Sequence, residues 1–347
     1  MNLRPNSLHH TYIGAGPQTR KLCQTSSLLK CMLYMLLTLL VTSCAKNPEF
    51  NNTTSTTSSV KNILVINTNR SLERYNTSQE AFLETLHTTA AADALAVTTI
   101  DLNKDNFPVD TLQDILNQQH YDAIYCIGAK ALGSIDYIDP DAPVFFSSVL
   151  NWRRFIDQPH YSGIASGVPA EAQFTWFKYF FPKIKKVGVL YSANNRKLLQ
   201  EASQAAEKLS IELVTEEVSS SSNLLAHANN LLPKVDALWL ISDSTVLGSA
   251  DSAKQLFEIA HNHQTPVFSY NPVFVDMGAV LSISADIATT GRQAALMINN
   301  HLEGNREQAG IQFPAGSSIS LNLKRVLEYK LELNGNALDS VNEIVGE

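Results

Sequence analysis

Lys186-Val187-Gly188-Val189-Leu190-Tyr191, running into the polar turn Ser192-Ala193-Asn194-Asn195, decides how this chain is organised. An apolar run of this kind reads as a strand buried on both faces. It is decisive because the chain has already completed one such series. Before it come strands at Ile63–Ile66, Leu95–Ile100, Asp122–Ile127 and Ala142–Phe146. Between these strands lies one helix with Thr77 and Glu80 spaced as a capping box and Phe82, Leu83 and Leu86 on one face. Another is capped by Asp110 and carries Leu112, Ile115 and Leu116. After Tyr191 the pattern repeats: strands at Ile211–Val214, Asp236–Ile241 and Pro266–Phe268 alternate with helices built around Ala202, Leu224–Leu232 and Phe257. Each half runs βαβαβαβ over about 100 residues, the size of a domain. The spacing predicts two similar α/β lobes, each a doubly wound parallel sheet, rather than one large sheet.

Late elements follow the second half: an apolar stretch at Gly278–Ile283, a helix carrying Ile287, Ala294, Ala295, Ile298 and Leu302, and a tail of short strands and a helix from Ile311 to Leu333. Segments of this kind can return to the first lobe and cross again. The predicted first lobe is 61–168 plus 271–305, and the second is 169–270 plus 306–347. Several crossings make a hinge, and a hinge places a ligand cleft between the lobes.

The chain has 347 residues, 44% hydrophobic and 17% charged, a composition that excludes disorder and a disulfide scaffold. Arg4, Arg20, Lys21 and Lys30 stand before Cys44 with no acid among them, so the net charge of −7 becomes −11 for the remainder. A body this acidic argues against a nucleic-acid footprint. The basic start leads into an apolar run, Cys31–Val41, broken only by Thr38. It is too short to span a bilayer, which needs about 20 residues, and fits the apolar core of a secretory leader. The stretch before it is longer than in most leaders, which points to a start codon downstream of Met1. Val41-Thr42-Ser43-Cys44 resembles a bacterial lipobox. Cys44 is therefore the predicted lipidated N-terminus, after a signal peptide over 1–43. A tether over 44–60, rich in Asn, Thr and Ser, would join the lipid to the folded body.

With Cys23 and Cys31 in the leader and Cys44 acylated, Cys126 remains alone. It sits in Ala123-Ile124-Tyr125-Cys126-Ile127 and reads as a core residue. No metal site or cofactor is expected: His261 and His263 lack further ligands nearby, and there is no nucleotide-binding glycine loop. Nucleophile elbows are also missing, so no enzyme is expected. What stands out is polar residues at the carboxyl ends of the strands, where open α/β sheets bind ligands. The candidate ligand-binding residues are Asn67, Asn69, Gly128, Lys130, Ser147 and Ser148 in the first half. In the second they are Tyr191, Asn194, Asn195, Asp243, Ser244 and Tyr270. Ser, Asn and Asp also cap the helices that follow strands, so for each residue that reading stays open.

The order and spacing of several pieces resemble the substrate-binding proteins of one ABC-importer family, whose described members include tryptophan- and tyrosine-binding lipoproteins. The pieces are Val187–Tyr191, Asp236-Ala237-Leu238-Trp239 leading into Ser242–Val246, Thr265–Ser269, Gly278–Leu281, Gly291–Ala295, Leu302-Glu303-Gly304 and Leu321-Asn322-Leu323. Pro143–Phe146 and Ser162-Gly163-Ile164 match more weakly, and the likeness covers roughly residues 60–335. Two segments depart from the pattern of characterised amino-acid binders: Asn67-Thr68-Asn69-Arg70 and Val149–Arg154. The resemblance implies a periplasmic binding protein type I fold and an extracytoplasmic lipoprotein held at a bacterial membrane. It implies a monomer that captures a small solute, an amino acid or related molecule, for an ABC permease and ATPase. It also places an acidic residue at Asp243. The alternatives are a sensory or accessory module feeding a signalling partner and, from another class, a two-domain enzyme such as a glycosyltransferase.

Overall fold

Residue alternation along the strands shows why this chain makes two sheets covered on both sides. In strand β1 (Lys61–Asn67), Ile63 and Val65 point to one core, whereas Leu64 and Ile66 point to another. All four are fully buried, so a one-residue register slip would exchange the two cores rather than expose either. The computed structural model describes residues 60–89, 95–104, 107–305 and 310–346. The predicted leader, Cys44 and all of the predicted tether but its last residue, Val60, lie outside them.

The first sheet contains β1, β2 (Leu95–Asp101), β3 (Ala123–Ile127), β4 (Val144–Val149), β5 (Tyr161–Ala165) and β11 (Ile311–Gln312). Their order is β11-β5-β4-β3-β1-β2, parallel throughout. Helices α1 (Glu73–Thr89), α2 (Val109–Gln118) and α3 (Ala129–Ile138) connect the early strands. The second sheet contains β6 (Lys186–Tyr191), β7 (Glu212–Glu217), β8 (Ala237–Trp239), β9 (Val267–Ser269), β10 (Leu281–Ala285), β12 (Ser317–Asn322) and β13 (Glu343–Val345). Its order is β13-β12-β10-β9-β8-β6-β7, and β12 runs antiparallel to β10. Helices α4 (Ala170–Phe180), α5 (Arg196–Lys208), α6 (Leu224–Leu231), α7 (Ala250–Asn262), α8 (Val273–Asp276) and α10 (Leu323–Glu328) belong to this lobe. Helix α9 (Ile287–Leu302) packs Ala294, Ala295 and Ile298 into the first lobe's core. Two doubly wound α/β lobes result.

The lobes are joined three times, at 166–169, at Asp286 and at 313–316. The last two crossings touch, since Asp286 N–H donates to Gly316 O at 3.1 Å. This placing differs from the sequence-based boundaries. The return to the first lobe comes after β10 rather than at 271, because Leu281 pairs with Phe268 on one side and Leu321 on the other. The final crossing likewise follows β11, which pairs with Gly163 and Ile164 of the first sheet.

Two helix starts also differ. α1 begins at Glu73, four residues before Thr77, because Asn69 Oδ1 accepts from both the N–H and hydroxyl of Ser71 and turns the chain early. α2 begins at Val109 with Pro108 in the capping position, where its missing N–H costs nothing, and Asp110 sits in the first turn. Helix α4 carries no expectation from the sequence. Its Phe174, Phe177 and Phe180, with Phe181 beyond, form one side of the second lobe's core against Trp239 and Phe268.

Candidate functional site: a cavity between the lobes

Most of the polar residues at the strand ends are taken up by their own loops. Asn67 is fully buried, and its Nδ2 donates to Tyr75 O at 3.1 Å and Gln79 Oε1 at 2.9 Å. Its Oδ1 accepts the Asn69 N–H at 2.9 Å. Gly128 holds φ 91° beneath Thr68, where a Cβ would lie 2.6 Å from Thr68 Oγ1. Lys130 donates to Leu102 O at 3.1 Å. Ser147 Oγ shares a hydrogen bond with the Tyr125 hydroxyl at 2.7 Å in the fully buried interior, and burial pushes that phenol's pKa up to about 12. Ser148 is left-handed at φ 58° and buries its hydroxyl without a protein partner.

The second lobe uses its strand ends in the same way. Asp243 is 4% exposed, and four donors surround its carboxylate. Oδ2 accepts from Ser192 N–H at 2.6 Å and Asn195 Nδ2 at 2.8 Å; Oδ1 accepts from Thr245 N–H at 2.9 Å and Val246 N–H at 3.3 Å. Burial alone would raise its pKa, but the hydrogen bonds from Asn195, Ser192 and Thr245 hold it below the usual carboxylate value. Asp243 therefore ties the β6 turn to the β8 turn instead of presenting a free charge to a solute. Tyr191 donates to Glu217 at 3.3 Å, and Asn194 and Ser244 are exposed.

Between the lobes lies a cavity of about 550 Å³. Of the twelve candidate ligand residues only Asn195 and Tyr270 line it. The first lobe supplies Leu150, Trp152, Arg153 and Ile156 from the loop after β4, with Phe313 from the third crossing. The first crossing, Ser166–Pro169, forms one wall, and Gln173, Leu198, Glu201 and Trp239 face it from the second lobe.

The geometry is specific. Trp152 is nearly buried and meets Phe313 edge-on, with ring centroids 5.8 Å apart. The Arg153 guanidinium lies 4.4 Å above the Trp152 ring. Its Nη2 donates across the cleft to Glu201 Oε2 at 2.6 Å, and its Nε is buried with no protein acceptor. Opposite, Trp239 Nε1 donates to Gln173 Oε1 at 2.9 Å, while Gln173 Nε2 donates to Val168 O at 2.8 Å. This chain of bonds fixes a buried indole against the first crossing. Glu171 and Lys208 form a second ion pair at 3.3 Å on the cavity's rim.

Sequence reasoning misses Trp152, Arg153, Gln173 and Glu201. The signal for the first two lies in the Val149–Arg154 segment, a Trp-Arg-Arg run directly after a buried strand. Gln173 and Glu201 sit on helices and carry no such mark. Cys126 is fully buried in the first lobe's core, and burial raises its pKa. His263 is bonded to Asn229 Oδ1 at 2.9 Å, and among the described residues no group of three metal-ligating side chains gathers. Nor is any described helix long and apolar enough to cross a membrane.

Comparison with known proteins agrees with this architecture. A curated tyrosine-binding protein of Clostridioides difficile is 22% identical over 218 residues, covering 59% of this chain. The match spans 62% of that relative's length. Among solved structures, the ligand-free, open form of a Clostridium difficile substrate-binding protein with adhesive properties superposes with a TM-score of 0.65 at 18% identity. It covers 83% of this chain and 100% of the other. A Streptococcus pneumonia ABC domain in complex with L-Trp gives 0.56 at 19% identity, again covering 83% and 100%. At these identities the structures establish a shared fold, that of the type I periplasmic binding proteins. The family model described as "ABC transporter substrate binding protein" matches residues 92–345, most of the chain, and this protein belongs to that family.

Proposed function

We propose that this protein is an extracytoplasmic lipoprotein that captures an aromatic amino acid, or a close analogue, and delivers it to an ABC importer. The observation that carries the solute class is the cavity itself. Trp152, Trp239, Tyr270 and Phe313 give it an aromatic interior, and Arg153 and Glu201 place both signs of charge at one side. A pocket of a few hundred Å³ with an apolar lining and a few fixed polar groups is the usual form of a small-molecule site. Asn195 and Tyr270 contact the solute in this reading. Asp243 shapes the turn beside it, next to the lining residue Ser242, whereas Asn67, Asn69, Gly128, Lys130 and Ser147 hold the first lobe's own strand ends. The tyrosine-binding relative and the tryptophan-bound structural neighbour support the same class.

The test is a thermal-shift panel of amino acids, purines and sugars. A ligand present at 100 times its Kd adds about 2.7 kcal/mol. For a chain of this size that raises Tm by roughly 5–10 °C. Tryptophan or tyrosine should produce the shift. A shift from sugars or purines alone would reject the solute class. Anchoring is tested separately: Cys44→Ser should move the protein from the membrane fraction to the soluble one and remove acyl mass from the mature N-terminus. Unchanged fractionation would reject the lipid anchor.

A further inference from the structure

The Arg153–Glu201 pair joins the two lobes across the cavity, and three features make it unusual. The guanidinium's face is occupied by Trp152 at 4.4 Å, which fixes its plane. One nitrogen reaches a carboxylate of the opposite lobe at 2.6 Å. Its Nε is buried without an acceptor. A guanidinium presents five N–H donors in a rigid fork suited to two-point carboxylate binding. Here the fork already holds a carboxylate, leaving a buried donor unused. Both side chains are partly exposed, at 30% and 45%, and ion pairs of that kind hold weakly. The pair is thus easily opened by a better partner.

The cavity's charges say what that partner carries. Arg153 and Lys208 are matched by Glu171 and Glu201, and Lys208 is already paired with Glu171. A bare anion that took Arg153 would leave Glu201 facing the cavity with no counterion. A molecule carrying both a carboxylate and an ammonium would leave neither charge alone. We propose that Arg153 and Glu201 are the solute's polar receptor. A zwitterionic solute exchanges ion pairs with them, its carboxylate taking Arg153 and its ammonium taking Glu201. The interlobe pair is then a stand-in for the solute in the ligand-free protein. This inference rests on the amino-acid reading above and assigns its recognition to two residues.

Titration calorimetry on the purified protein tests it with L-tryptophan and L-tyrosine, their primary amides, and indole-3-propionate and 3-(4-hydroxyphenyl)propionate. The amides lack the carboxylate, and the propionates lack the ammonium. The wild type should bind the amino acids at least tenfold more tightly than either analogue. Arg153→Gln should erase the preference over the amide, and Arg153→Lys should recover only part of it. Glu201→Gln should erase the preference over the propionate and tighten propionate binding severalfold, because the competing carboxylate is gone. Retention of the acid-over-amide preference in a folded Arg153→Gln protein would overturn the proposal. If the wild type binds none of the amino acids, the solute class fails separately. Arg153 is then decided by the Nε–H resonance of arginine-15N-labelled Glu201→Gln protein titrated with indole-3-propionate. A saturable shift supports the receptor, and no shift overturns it.

Discussion

Asp243→Asn is the substitution that most sharply separates a loop-holding carboxylate from a solute-binding one. Each oxygen of Asp243 faces two N–H donors: Ser192 and Asn195 at Oδ2, Thr245 and Val246 at Oδ1. An asparagine has one acceptor oxygen and one NH2 group, so either orientation of its amide sets NH2 against two donors. Hydrogen bonds to a charged group contribute about 1.5–3 kcal/mol each, and a stranded buried donor costs a similar amount. With the amide nitrogen turned to the longer pair at Thr245 and Val246, the loss is about 3 kcal/mol, once the weakening of the remaining bonds is counted. That lowers Tm by roughly 6–12 °C at about 2–4 °C per kcal/mol. Tryptophan fluorescence reports it directly, since Trp239 is buried in the same lobe. The pH dependence has a defined sign. A carboxyl whose folded pKa is depressed contributes stability above its unfolded value, near 4, and loses it as pH falls through the lower folded value. The stability gap between wild type and variant should therefore shrink on acidification below about pH 4. A variant melting within about 2 °C of wild type at neutral pH would refute the four-donor account.

Other predictions follow from close packing and strain. Gly291→Ala in α9 would put a Cβ 2.2 Å from Ser78 O and 3.2 Å from Phe82 N on α1, so the two helices must separate. Denaturant titration should show a loss of about 1–3 kcal/mol, and a midpoint equal to wild type would mean the contact yields freely. Ser148→Gly relieves a left-handed φ of 58° and removes a buried hydroxyl lacking a protein partner. Stability should rise by about 1 kcal/mol, and a fall would show that the hydroxyl is engaged. Small-angle scattering should give a smaller radius of gyration with bound solute, as lobes joined by three crossings close on the cavity. An unchanged profile at confirmed saturation would count against closure.

The lobes are legible because a parallel sheet covered by helices on both faces demands strands that are apolar throughout. Leu64 and Val65 sit in different cores, yet both must be apolar, so β1 stands out as a run rather than an alternation. β8 and β9 are found by the same rule. The crossing point is not legible. β10 is short and bears no residue that marks its lobe, and only its pairing with Phe268 and Leu321 assigns it to the second sheet. That pairing is a long-range fact with no local trace. Helix α4 escapes for another reason. Its buried phenylalanines recur at every third residue among further aromatics, which blurs the polar face that marks a helix.

At the site, capping and solute binding draw on the same residue types, and local sequence cannot tell them apart. Asn67, Asn195 and Asp243 all stand at strand ends, where a ligand-binding rule and a helix-capping rule predict the same letters. Counting donors and acceptors separates them. A buried backbone N–H left unpaired costs more than a side-chain bond usually gains, so loops at strand ends claim nearby oxygens first. Asn67 and Asp243 are consumed in this way, by one and two neighbouring turns respectively. The capacity left for a solute lies where the backbone makes no such demand. Arg153 is a donor-only side chain that cannot cap an N–H, and its Nε remains free of protein acceptors. Trp152 and Phe313 also follow strands, β4 and β11, but as apolar rings they answer no helix-capping rule and bring aromatic surface to the cavity. The binding chemistry therefore gathers in the β4–β5 loop and the crossings, where the chain between Leu150 and Pro169 meets Phe313 of the third crossing.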